Sequence, residues 1–111
     1  MYEYRAFVRS IYDADTIRFD IDLGFGTRLV NQSVRLFGID AWEIRGPERP
    51  LGIRARDATS SLMTKGDGVM LHTYKDKKGK YGRWLADVYL DDGTHLNDWL
   101  VSEGHAERAT Y

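Results

Sequence analysis

The sequence predicts a mainly β, α+β fold in which five short strands form a small barrel, with a helix between strands 3 and 4 and a short helix near the C-terminus. Three observations predict it. Ile17, Phe19, Ile21 and Leu23 alternate with Thr16, Arg18, Asp20 and Asp22, the period of two that sends one row to a core and the other to solvent. Gly24 and Gly26 then punctuate the chain before β pattern resumes through Val34, Leu36 and Phe37, which reads as a hairpin of 16–23 with 30–39. Ala55, Ala58 and Leu62 recur at i, i+3 and i+7 between Gly52 and Gly66, the spacing of a helix of about three turns.

The remaining elements follow in order. The N-terminal stretch Met1-Tyr-Glu-Tyr-Arg-Ala-Phe-Val enters a strand-like pattern directly. Residues 40–51 hold both prolines in a mixed-charge run and read as a mobile loop, with no long helix expected until Pro50 is passed. Val69 to Tyr74 and Leu85 to Leu90 are further strands, joined by the lysine-rich run 75–83, and Asp92-Gly93 marks a turn. Leu96, Trp99 and Leu100 form an i, i+3, i+4 triplet on a short helix that Gly104 ends, followed by an extended segment over 105–111. This order matches a Greek-key barrel of the OB-fold type better than a sandwich, which needs about seven strands. We expect a single domain over 1–111.

Composition narrows the functional classes. Sixteen basic side chains nearly cancel seventeen acidic ones, so any phosphate-binding surface must be local rather than a product of net charge. The absence of cysteine excludes disulfides, thiolate metal sites and a cysteine nucleophile. No apolar stretch follows a basic start, so neither a signal peptide nor a membrane span is expected, and a cytoplasmic location is the reading of the sequence as written.

Two carboxylates stand out by placement: Asp15, immediately before the first alternating strand, and Asp40, at the end of its hairpin partner. Antiparallel pairing brings the start of one strand to the end of the other, and paired hard oxygens invite Ca²⁺ or Mg²⁺. Read singly, these residues have blander roles. Asp13 and Asp15 are turn formers, Arg35 is an outward-facing strand residue between Val34 and Leu36, and Asp40 and Glu43 are loop acids. Lys75, Lys77 and Lys78 read as solvated charge, His72, His95 and His105 lack metal-ligand spacing, and Trp84 and Trp99 read as packing residues.

Three motifs in order change that balance. Asp13-Ala-Asp-Thr16, Arg35-Leu-Phe-Gly-Ile-Asp40-Ala-Trp-Glu43 and Lys80-Tyr-Gly-Arg83 together resemble the staphylococcal nuclease (thermonuclease) family across nearly the whole chain. The resemblance implies a calcium-dependent nuclease that cleaves DNA or RNA between phosphorus and the 5′ oxygen, leaving 3′-phosphate products. It implies that Asp15, Asp40 and the main-chain oxygen of Ala41 hold Ca²⁺, with Mg²⁺ the lesser candidate. It further implies that Glu43 positions or deprotonates the attacking water, that Arg35 and Arg83 grip the scissile phosphate, and that Lys80 and Tyr81 contact substrate. Tyr111 is assigned to substrate as well, one residue out of step with a family tyrosine that stacks on the base. Phosphate chemistry asks for such residues independently, since guanidinium matches phosphate oxygens bidentately where lysine is a point charge.

The sequence departs from the family at three places. Ala14 stands where glycine is usual, Trp42 replaces a proline before Glu43, and the chain stops near the point where the family adds a further helix, which leads us to expect self-association to cover the exposed surface. Two other classes compete: a non-catalytic nucleic-acid-binding barrel, and an interaction domain with a vestigial site. Retention of all five charged residues, Asp15, Arg35, Asp40, Glu43 and Arg83, favours the enzyme, because binding alone does not require them.

Overall fold

The alternation in β2 (Thr16–Gly24) resolves over its middle, where Ile17, Phe19 and Ile21 are buried while Arg18 faces solvent. At its ends it does not, since Leu23, expected in the core row, is exposed near the hairpin tip and Thr16, expected in the solvent row, is buried beside Asp15. The computed structural model describes residues 2–78 and 83–109. β2 pairs antiparallel with β1 (Tyr2–Asp13) on one side and β3 (Thr27–Leu36) on the other. β5 (Gly68–Lys78) pairs antiparallel with both β1 and β6 (Trp84–Leu90). A parallel seam, Val34↔Trp84 to Leu36↔Ala86, joins β3 to β6 and closes the barrel in the order β1-β2-β3-β6-β5. Its interior is filled by Val8, Ile17, Phe19, Val34, Leu36, Leu71 and Val88, all at most 3% exposed. Full closure removes open sheet edges.

The strand expected over 30–39 ends earlier. Gly38 takes φ +79°, turning the chain, and residues Ile39–Ala41 form a separate β4 that pairs with β7 (Ala106–Arg108). Both are too short to show a period in sequence. The extended segment expected over 105–111 is thus β7 with its flanks; residues 110 and 111 lie outside the described range. At the opposite end of the hairpin, Gly24, Phe25 and Gly26 all have positive φ, and Phe25 is fully exposed at the tip.

The helix α1 (Arg49–Leu62) begins one residue before Pro50, not after it, and follows a 3₁₀ turn at Gly46–Glu48. Proline is tolerated in the first helical turn because its missing N–H has no helical partner there in any case. The buried stripe is Gly52, Ala55 and Thr59 rather than Ala55, Ala58 and Leu62; Leu62 is 36% exposed, and Met63 just beyond the helix is buried instead. The buried Thr59 hydroxyl has no hydrogen-bond partner among the described residues. Thr59→Val, which keeps the shape and removes the hydroxyl, is therefore expected to be neutral or to raise stability by up to about 1 kcal/mol in urea unfolding.

Helix α2 (Leu96–Ser102) packs Leu96 and Leu100 into the core. Between them Asn97, 1% exposed, acts as a polar bolt: its Nδ2 donates to the Phe37 and Ala86 carbonyls (2.9 and 3.2 Å), and its Oδ1 accepts the Val88 N–H (3.0 Å). His95 places one ring nitrogen 2.9 Å from Asp87 and the other 2.8 Å from Asp98, tying the start of α2 to β6. Trp84 and Trp99 pack against the core as expected. No helix among the described residues is long and apolar enough to cross a membrane.

Candidate active site

Asp15 lies in the tight turn between β1 and β2, where the Asp13 carboxylate accepts the Asp15 N–H at 3.2 Å. Asp13 thus plays the turn-forming role expected of it. Ala14 is fully buried and does not need a positive φ, so it replaces glycine without strain. Cross-strand register pairs Thr16 with Arg35, and this brings the start of β2 to the end of β3. Asp15, 4% exposed, accepts the Ala41 N–H (2.8 Å) through Oδ2, and the same oxygen is 2.6 Å from Arg35. Arg35 also pairs with Asp40, whose carboxylate is largely exposed, and donates to the Ile39 carbonyl (3.2 Å).

Arg83 arrives from the start of β6 and donates to the Thr16 hydroxyl at 3.1 Å. Asp15, Thr16, Arg35, Asp40, Ala41 and Arg83 therefore meet at one patch of the barrel wall. Thr16 was given no role by the sequence, although it adjoins Asp15 in the motif and its partner across the sheet is Arg35. Lys80, Tyr81 and Tyr111, expected on substrate, lie outside the described residues, as do the side chains of residues 75–78.

Glu43 sits two residues past Ala41 with its side chain exposed, and makes no hydrogen bond or ion pair to the cluster among the described residues. Its backbone is nevertheless fixed. The Glu43 N–H donates to Glu48 (3.0 Å), and Arg49 donates to the Ile44 carbonyl (3.0 Å). A Cβ on Gly52 would lie 1.9 Å from the Glu43 carbonyl oxygen, so only glycine lets α1 approach this closely. Trp42 donates from its indole to the Gly104 carbonyl (2.8 Å) and from its backbone to His105 (3.3 Å). The segment that reads as a mobile loop is thus tied to α1 on one side and to the α2–β7 turn on the other.

Among the described residues no three carboxylate, imidazole or thiolate side chains cluster to hold a metal by themselves. The candidate ligand set is two carboxylates, Asp15 and Asp40, completed by the Ala41 carbonyl and water. Hard oxygens alone suit Ca²⁺ or Mg²⁺. Asp15 and Asp40 share Arg35, and burial, reinforced by the neighbouring Asp15, pushes the Asp13 carboxyl up to about 7.

Comparison with known proteins matches residues 33–111 to the family described as staphylococcal nuclease homologue, a stretch carrying Arg35, Asp40, Glu43 and Arg83. The chain belongs to this family. It is 36% identical over 107 residues to a protein named thermonuclease from Staphylococcus intermedius, covering 94% of this chain and 59% of that protein. It is 35% identical over 104 residues to a thermonuclease from Staphylococcus hyicus, covering 91% and 57% respectively. It is 28% identical over 112 residues to endonuclease YhcR of Bacillus subtilis (strain 168), covering 94% of this chain and 9% of that larger protein. The chain spans less than three fifths of each of these relatives. Within the staphylococcal nuclease family, the anchored Trp42 supplies through two hydrogen bonds a restraint on the Glu43 segment that a proline would supply through its ring.

Proposed function

We propose that this chain is a calcium-dependent nuclease that hydrolyses phosphodiesters of DNA or RNA on the 5′-oxygen side and leaves 3′-phosphate ends. The observation that carries this reading is the meeting of Arg35 and Arg83 beside the Asp15–Asp40 pair, two guanidiniums and two carboxylates on one patch of surface. Names of the relatives, thermonuclease and endonuclease, support the nuclease part of this reading.

In this reading Asp15, Asp40 and the Ala41 carbonyl hold the cation, which when bound supplies Lewis-acid polarisation of a phosphoryl oxygen. Arg35 is preset by two carboxylates and a carbonyl, so it meets an arriving phosphate with its plane already fixed and little rotamer entropy left to lose. Arg83, set by Thr16, adds a second cation as negative charge builds on the phosphoryl oxygens. Glu43, exposed and anchored through its backbone, takes the proton of the attacking water.

The test is digestion of single-stranded DNA with Ca²⁺, Mg²⁺ or EDTA, beside Glu43→Ala and Arg83→Ala. Cleavage is expected with Ca²⁺, weakly or not at all with Mg²⁺, and not in EDTA, with both variants impaired and phosphatase-sensitive 3′ ends on the products. Ca²⁺ should also raise the melting temperature, by the equivalent of about 2.7 kcal/mol at a hundredfold excess over Kd. Equal activity in EDTA, or in both variants, removes the mechanism; oligonucleotide binding without cleavage would instead favour the non-catalytic binding barrel.

A further inference from the structure

We propose that the outer face of the β1–β2–β3 sheet is a binding track for single-stranded nucleic acid, leading from Arg35 to a basic cleft formed by Phe7, Arg9, Arg28 and Lys65. The inference rests on the nuclease reading above and extends it to where the rest of the substrate strand lies.

Register places these residues in one row. Thr16 pairs with Arg35, Arg18 with Ser33 and with Ser10, Asp20 with Phe7, and Asp22 with Arg28, while the alternate residues Ile17, Phe19 and Ile21 face the core. From Thr16 to Asp22 the row runs roughly 20 Å at about 3.3 Å per residue, long enough for a short run of nucleotides. At its far end a cleft of about 240 Å³ is lined by Phe7, Arg9, Asp20 and Arg28, together with Lys65 from the α1–β5 connection. Arg28 reaches across β2 to lie 4.3 Å from the centre of the Phe7 ring. That contact fixes the guanidinium at the cleft while leaving its N–H groups open to an anion.

The acids on this face, Asp20 and Asp22, offset only part of the charge of Arg9, Arg18, Arg28 and Lys65. Asp20 accepts the Asn31 N–H at 2.8 Å and pairs with Arg9 at 3.3 Å; Asp22 accepts the Gly24 N–H at 2.8 Å. Both carboxylates are committed to shaping the β2–β3 hairpin. Among the described residues neither Arg28 nor Lys65 has a carboxylate partner, and Arg18 is exposed with its guanidinium on the Asn31 carbonyl. A chain with a net charge of −1 therefore carries a net positive excess, through Arg18, Arg28 and Lys65, along one sheet face that begins at the candidate active site. A polyanion extending from that site matches this pattern, and each phosphate neutralised releases counterions.

The experiment uses the Glu43→Gln chain with Ca²⁺ to measure binding without cleavage of a fluorescent 12-nucleotide DNA, and the unmodified chain to measure hydrolysis. Arg28→Gln/Lys65→Gln is expected to weaken 12-mer binding on the order of twentyfold at 0.1 M salt and to flatten the log–log salt slope by about 1.4, at roughly 0.7 per phosphate contact on a single strand. Hydrolysis of a dinucleotide, too short to reach the cleft, should not change. The charge-matched pair Arg54→Gln/Arg56→Gln on α1 should leave the 12-mer affinity within about twofold. An unchanged affinity and slope in Arg28→Gln/Lys65→Gln, an equal loss with the α1 pair, or an equal loss on the dinucleotide overturns the track while leaving the nuclease reading in place. A parent chain that neither binds nor cleaves either substrate overturns both.

Discussion

Turnover is expected to fall about 100-fold when Gly52 becomes alanine, approaching the loss of about 10²–10⁴ expected for Glu43→Ala, although Gly52 carries no reactive group. The methyl group would be placed 1.9 Å from the Glu43 carbonyl oxygen and 2.2 Å from its carbon, so helix and loop must separate by more than an ångström. Displacement of that size at a reacting group costs about 10² in rate. Alanine is itself a better helix former than glycine by about 1 kcal/mol, so the variant should fold. Ca²⁺ affinity, read from the Ca²⁺-induced rise in melting temperature, should hold within a few-fold because Asp15, Asp40 and Ala41 precede the clash. A Gly52→Ala chain with wild-type turnover would show that the Glu43 segment is free to move without consequence.

Asn97→Ala is expected to cost about 2–4 kcal/mol, a large loss for a single polar truncation. The side chain is 1% exposed and serves three backbone groups drawn from the β3–β4 turn and β6. Its removal takes the acceptor from the buried Val88 N–H, at about 1–3 kcal/mol, removes the amide donor from the part-buried Phe37 carbonyl and opens a small void. Urea denaturation should show a lower midpoint with an unchanged slope. Asn97→Asp should be no milder, because an ionised carboxylate cannot donate to either carbonyl and is buried without a cation. Asn97→Ala at full stability would mean that water replaces the amide, an outcome distinguishable by its effect on Val88 amide exchange.

The parts of the molecule legible in the sequence were those with a period. β2 alternates over Ile17, Phe19 and Ile21, and α2 shows its triplet Leu96, Trp99 and Leu100, so both were placed correctly. β4 was not, since three residues carry no period, and although β7 lies within the extended segment expected over 105–111, its pairing with β4 joins segments far apart in the chain. The start of α1 was missed because Pro50 was read as a barrier rather than as a first-turn residue, and its stripe was misplaced because Gly52 and Thr59 do not look apolar. The convergence of Asp15 and Asp40 was legible, since antiparallel pairing of their strands brings them together, whereas Arg35 came to the site only through the resemblance. What holds the site was not. Thr16 beneath Arg83, Gly52 against Glu43 and Trp42 on Gly104 are contacts between elements, and no local pattern announces them.

The parallel seam between β3 and β6 gives the site a history as well as a shape. Residues 34–36 meet residues 84–86 there, with Arg35 in the middle of the seam and Arg83 at its edge. Every other barrel pairing is antiparallel, and both β2–β3 and β5–β6 are hairpins that form from neighbouring chain. Closing the seam and pairing β1 with β5 are the long-range steps, which must recover the entropy of large loops. During synthesis from the N-terminus, Asp15, Arg35 and Asp40 emerge long before Arg83, so an incomplete chain holds the carboxylates without the second guanidinium.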